Sequence, residues 1–232
     1  DTARLEVVGV PADSDGLDVD ALEQRLRQGL RPAFVYCIPS FHNPTGVTLA
    51  PERAERLVEL AERYDFVVVA DEPYTLLHFG HAPPCMMSFD RGRGRVLALG
   101  SMSKILAPGL RLGWAHAEPA LIDRLMEHGT LRSGGCVNPV VSRIVHATIT
   151  SGFLAEHVAP LRATLAHRAR AMTDALNREF NTANERPSGG YFMWIDLGAG
   201  HDTAELLAFS RARHHVAFAP GARCAIARDL RS

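Results

Sequence analysis

Four short apolar runs recur along the first half of the chain, and helical patterns separate them. They are residues 4–10 (Arg-Leu-Glu-Val-Val-Gly-Val), 33–38 (Ala-Phe-Val-Tyr-Cys-Ile), 66–70 (Phe-Val-Val-Val-Ala) and 95–100 (Arg-Val-Leu-Ala-Leu-Gly). Runs of this length predict strands; that at 66–70 is expected to be buried, and that at 95–100, apolar on both faces, to be covered on both as parallel strands tend to be. Between them, Asp18 is placed to cap a helix through residues 20–26 that ends near Gly29. Pro51 sits in the first turn of a helix that opens near Thr48 and carries Leu57, Leu60, Ala61 and Tyr64 on one face. Strands alternating with helices in this way predict βαβ units and an α/β fold, a three-layer α/β/α arrangement around a mostly parallel sheet.

The pattern changes in the second half. Helices are predicted over residues 119–128, 139–150 and 153–180, the last long enough to connect two domains. Pro187-Ser188-Gly189-Gly190 breaks the periodicity. Short strands are expected at 191–196 and near 216–218 and 224–226, with a helix over 203–213. A boundary near residue 155 divides the chain into part of a larger domain, 1–155, and part of a smaller α+β C-terminal domain, 156–232.

Composition narrows the function classes. The net charge of −1 favours neither nucleic acid nor an anionic membrane as a partner. Cys37, Cys85, Cys136 and Cys224 form no CxxC pair, which argues against a disulfide framework and fits a reducing compartment. No apolar run reaches membrane-spanning length and no signal peptide is recognisable, so a cytoplasmic protein is expected. His78 and His81, and the His214-His215 pair, lack the further ligands a metal site needs, so no metal is expected.

The candidate chemistry lies at strand ends. Lys104 is the one lysine in the sequence; all other members of the 25 Lys and Arg are arginine. Arginine keeps its proton, whereas a lysine amine can lose it and attack a carbonyl to form a Schiff base. Lys104 follows the run at 95–100, just beyond a strand's carboxyl end, where open α/β sheets hold ligands. Ser101 and Ser103 add hydroxyl donors, and Arg111 adds a fork suited to phosphate. A Schiff-base lysine beside phosphate-binding groups points to an aldehyde cofactor bearing a phosphate, pyridoxal 5'-phosphate (PLP). Such a cofactor needs a carboxylate to keep its pyridine nitrogen protonated, and Asp71, closing the run at 66–70, is the candidate. Asn43 and Tyr74 are placed to donate to its phenolic oxygen, and the crowded Asn43-Pro44 turn is a candidate for a cis bond.

These residues fall in four ordered motifs: Asn43-Pro44-Thr45-Gly46, Asp71-Glu72-Pro73-Tyr74, Gly100-Ser101-Met102-Ser103-Lys104 through Arg111, and Ser188-Gly189-Gly190-Tyr191-Phe192. Over nearly its whole length the chain resembles the class I/II aminotransferases, PLP-dependent enzymes of fold type I. The resemblance implies transfer of an amino group between an amino acid and a 2-oxo acid, with Lys104 holding the cofactor and moving the proton. It implies Asp71 on the pyridine nitrogen, Asn43 and Tyr74 on the phenolic oxygen, and Ser101 and Arg111 on the phosphate, with Ser103 assisting. Tyr191 or Phe192 would face the substrate, and a homodimer is expected. Leu106-Ala107-Pro108-Gly109 is most similar to the aminoadipate, aromatic and branched-chain members and the related regulators. The resemblance leaves open a PLP-dependent lyase or decarboxylase, and an aminotransferase-like sensor domain of a transcription regulator. Members of this family usually carry further segments before the position of Asp1, and a substrate-carboxylate arginine near the position of Ser232. Arg228 and Arg231 lie close to that point without a firm alignment, and the chain is expected to be a fragment of a longer protein.

Overall fold

The structure is a computed structural model and describes residues 5–134, 138–180, 184–198 and 200–224. Chain contacts group it into two units, Ala12–Met193 and a smaller one formed by Asp1–Pro11 with Trp194–Ser232.

The larger unit begins with a small antiparallel hairpin, β1 (Ala12–Asp13) and β2 (Gly16–Leu17). Helix α1 (Val19–Arg27) follows, and Asp18 caps it by accepting from the Ala21 N–H at 2.9 Å. Val19, Leu22 and Leu26 recur at helical spacing and are buried. Strand β3 (Phe34–Cys37) leads through a loop to α2 (Pro51–Tyr64). Pro51 stands at its start, where a missing N–H costs nothing. Its apolar face buries Ala54, Leu57, Val58, Leu60 and Ala61, and α2 packs on α1 and on β4 (Val67–Asp71). Each leucine fully buried this way contributes about 1.5–3 kcal/mol. One buried charge lies between the helices. Glu23 accepts from Arg27 at 2.7 Å and Arg63 at 3.3 Å, and pairs closely with Arg56, whose guanidinium holds its carboxyl below the usual range.

Helix α3 (Met87–Asp90) precedes β5 (Val96–Ser101). Buried Asp90 accepts the N–H groups of Gly94, Arg95 and Val96 and so fixes the entry to β5. A fourth strand, β6 (Gly113–His116), completes the sheet in the order β3-β4-β5-β6. The first three strands are parallel, as expected, and β6 is antiparallel to β5. Ser101 pairs with Gly113 and Gly100 with Trp114, so residues 102–112 form the loop of that connection. Helices α4 (Pro119–Met126), α5 (Gly129–Arg132), α6 (Pro139–Thr150) and α7 (Phe153–Phe180) follow. Asn138 caps α6 through the N–H groups of Val140 and Val141. The expected boundary near 155 falls early in α7, and Val158 of that helix shares a core with Phe41, Tyr74, Leu77, Met102, Ile105 and Val145.

Several local expectations give way. β5, expected to be buried on both faces, covers Val96, Leu97 and Ala98 in succession, whereas β3 buries one face: Val35 and Cys37 are covered, while Phe34 and Tyr36 are 44% and 52% exposed. Residues 5–11, 191–196 and 216–218 form no strand. Apolar residues alone do not make one, because a strand needs a partner ladder. Among the described residues the only bridge near the second of these segments is His78 with Gly189. The strand expected near 224–226 lies largely outside the described residues, as do Arg228, Arg231 and Cys136. In the smaller unit, α8 (Thr203–His214) forms as expected, with Asp202 capping it through the Ala204 and Glu205 N–H groups. No helix of the described residues is long and apolar enough to cross a membrane.

Candidate active site

Three loops meet beyond the carboxyl ends of the parallel strands. The one after β3 turns tightly: the His42 N–H donates to Val47 O at 2.8 Å and the Gly46 N–H to His42 O at 2.6 Å. The Asn43–Pro44 bond is cis, as the crowded turn suggested. The Ser188–Phe192 motif packs directly on this loop. A methyl group on Gly189 would lie 2.4 Å from the buried Phe41 ring, and one on Gly46 would lie 2.9 Å from Phe192 O. Only glycine permits this approach, and it brings the first and last motifs together. Gly189→Ala should therefore destabilise the chain by about 1–3 kcal/mol through overpacking. Thermal unfolding checks this, at roughly 2–4 °C for each kcal/mol. Gly129→Ala, where an added Cβ meets nothing within 4 Å, should leave the midpoint in place.

Asp71 closes β4, and its Oδ2 accepts from the Tyr36 hydroxyl at 2.7 Å. Its neighbour Glu72 is engaged elsewhere: Oε1 accepts the Met86 N–H at 2.9 Å, and burial pushes this carboxyl up. Of the two adjacent acids, Asp71 is the one on the sheet face shared with Tyr36. Tyr74 is buried, and its ring meets those of Tyr191 and Phe192 edge-on, with centroids 6.2 and 5.7 Å away. Burial, then the charge of Asp71, raises the Tyr74 hydroxyl pKa, while a hydrogen bond with the Asn43 side chain opposes the rise. Tyr191 donates to the main-chain carbonyl of Lys104 at 2.6 Å. Asn43, Tyr74, Tyr191 and Lys104, from all four motifs, are thus linked by successive contacts.

The Lys104 loop is held at both ends by β5 and β6, and the Met102 N–H donates to Leu112 O at 3.0 Å. Within it the Ser103 N–H donates to Ser101 Oγ at 3.2 Å. Arg111, in the left-handed region at φ 51°, turns its guanidinium back to Ser103 Oγ at 3.1 Å. Two hydroxyls and a guanidinium gathered in this way suit a phosphate. With an amine, a carboxylate, a phenol and an amide nearby, the donor set fits a phosphorylated pyridine aldehyde.

The comparisons with known proteins bear on this site. The family model for aminotransferase class I and II matches residues 1–231. The chain belongs to the class I and II aminotransferases. It is 36% identical to aromatic-amino-acid aminotransferase 1 of Thermococcus litoralis over 98% of this chain and 55% of that protein. It is 39% identical to 2-aminoadipate transaminase of Thermus thermophilus over 91% and 54%. Among solved structures, the kynurenine aminotransferase of Pyrococcus horikoshii, in complex with PMP, superposes with a TM-score of 0.87 at 33% identity, covering 97% of this chain and 57% of that one. The chain spans about half the length of the curated relatives it matches.

All seven sequence candidates, Asn43, Asp71, Tyr74, Ser101, Ser103, Lys104 and Arg111, lie within the unit Ala12–Met193. The sequence reading gave no site role to Tyr36. Its signal was strand parity, since Tyr36 stands opposite Val69, two residues before Asp71 on the same face. Of Tyr191 and Phe192, the two expected candidates to face substrate, Tyr191 bonds its hydroxyl to the Lys104 main chain. His42 Nδ1 lies 2.9 Å from Thr45 Oγ1, and burial lowers its pKa, in keeping with a loop residue.

Proposed function

We propose that this chain carries the cofactor-binding machinery of a PLP-dependent amino-acid aminotransferase. The observation that carries the reading is the placement of Asp71 and the Lys104 loop at the ends of adjacent parallel strands, with Asp71 paired to Leu99 two residues before Ser101. When bound, PLP supplies an aldehyde that amines condense with and a ring that draws electrons from an amino acid's α-carbon.

The chain's own residues have distinct tasks. Lys104 would hold the cofactor through its amine, and the same amine, when free, would take the proton from the substrate's α-carbon and return it. Asp71 keeps the ring nitrogen protonated through its adjacent negative charge. Asn43 and Tyr74 donate to the phenolic oxygen, and burial helps keep the Tyr74 hydroxyl protonated for this. Ser101, Ser103 and Arg111 bind the phosphate, which anchors the ring without taking part in bond breaking. The substrates are an amino acid and a 2-oxo acid, and relatives named for aromatic amino acids and 2-aminoadipate support a bulky side chain. Residues 1–155 and 156–232 as parts of the large and small domains, a homodimer and a cytoplasmic location belong to the same reading.

The test is the visible absorption of the purified chain with PLP, before and after a mixture of amino acids. A cofactor band that amino acids convert to the PMP form supports transamination. A band that they leave in place means binding without amino transfer and removes the enzymatic reading.

A further inference from the structure

We propose that Tyr36 is a positioning residue for Asp71: its hydroxyl holds one carboxylate oxygen so that the other is presented to the ring nitrogen of the bound cofactor. This rests on the role proposed for Asp71 above. Tyr36 stands on β3 opposite Val69, and Asp71 lies two residues further along β4. Successive residues of a strand face opposite sides, so both point to the same face, and a diagonal neighbour lies within reach of an aromatic side chain. The Tyr36 Oη to Asp71 Oδ2 distance of 2.7 Å is that of a charge-assisted hydrogen bond. No other described side chain bonds to the Asp71 carboxylate. The donor is half exposed yet held on a rigid aromatic lever, and its parent strand is paired throughout with β4.

The choice of a phenol has a chemical consequence. A cation here would compete with the protonated ring for the carboxylate's charge, whereas a neutral donor leaves that charge in place and fixes only its direction. Tyr36 also stays a donor at neutral pH, because burial and then the hydrogen bond to Asp71 hold its pKa above the usual tyrosine range. The other groups whose charge reaches it are Cys37, whose thiol burial pushes up to about 12, and Tyr74. Neither is charged at neutral pH, so among the described residues the Tyr36 hydroxyl has one charged partner, Asp71.

Two measurements test this. In the cofactor-free chain, the ring Cζ signals of the four tyrosines are followed with pH by NMR, and Tyr36 is assigned by its loss in Tyr36→Phe. Asp71→Asn should lower the Tyr36 titration midpoint. With PLP, Tyr36→Phe should weaken cofactor binding about tenfold, the loss of one hydrogen bond to a charged group. It should also raise the pH at which the visible band changes form, in the same direction as Asp71→Asn and by less, with the thermal midpoint unchanged. A Tyr36 titration indifferent to Asp71→Asn overturns the inference, as does a Tyr36→Phe chain with wild-type affinity and pH midpoint. Absence of any Lys104-dependent band in the wild-type chain overturns the cofactor reading itself, and this role with it. The cofactor-free titration separates that failure from a missing Tyr36–Asp71 link.

Discussion

Lys104→Ala is expected to remove the visible cofactor band altogether and to abolish transamination, the largest loss of any single substitution in this chain. Two functions vanish together. The alanine has no nucleophile to hold an aldehyde, and no base to take the α-proton; the second loss alone accounts for about 10²–10⁴-fold in rate. Lys104→Arg separates charge from chemistry. Arginine restores a positive side chain at the same exposed position of the β5–β6 loop, but it cannot give up its proton. It should therefore be as inactive as alanine, and it should bind PLP only reversibly, through the phosphate group. Absorption spectra and an amino-transfer assay on the two variants decide the matter. A Lys104→Arg chain that keeps the band and the activity would leave Lys104 as no more than a positive charge. Both substitutions should leave the fold intact, because the loop is fixed by its main chain, through the Met102–Leu112 bond and the Tyr191 hydroxyl on the Lys104 carbonyl.

Local rules made much of this site legible before the structure. Asp18 as a cap, Pro51 at a helix start and the apolar runs that became β3, β4 and β5 depend on residues close in sequence, where propensity and periodicity act directly. Lys104 and Asp71 could be placed because a parallel sheet gathers its strand ends on one edge. What stayed hidden depends on tertiary partners. Strand β6 has four residues, and it pairs because the chain returns after the Lys104 loop. The Trp114 side chain then lies over Gly100, where a Cβ would sit 2.1 Å from the indole, so the pairing needs a glycine that sequence periodicity treats as a weakness. Tyr36 reads as one more member of an apolar run until the register sets it diagonally from Asp71. The run at 191–196 shows the converse: its alternation is that of a strand, yet its glycine-rich approach is used to pack against Phe41.

Asp71→Asn carries the second large effect. The amide is the same size as the carboxylate and can still accept the Tyr36 hydrogen bond, so the end of β4 should keep its geometry and the thermal midpoint should hold. What is lost is the negative charge that favours a protonated ring nitrogen. Removing one member of such a hydrogen-bonded charge pair costs about 2–5 kcal/mol, on the order of 10²–10³-fold in rate when the pair supports the electron sink. The band should still form, because Lys104 is present, but proton removal from the amino acid should become the slow step. A kinetic isotope effect with α-deuterated substrate, enlarged over wild type, is the measurement. Glu72→Gln is the matched control. It neutralises the adjacent acid, whose Oε1 is already committed to the Met86 N–H and whose pKa burial raises. Its amide oxygen can keep that bond, so the rate should change by less than about threefold, in the range of weak perturbations of a few tenths of a kcal/mol. If Glu72→Gln were the slow variant and Asp71→Asn the active one, the ring nitrogen would face Glu72, and the Tyr36–Asp71 pair would be a structural link between β3 and β4.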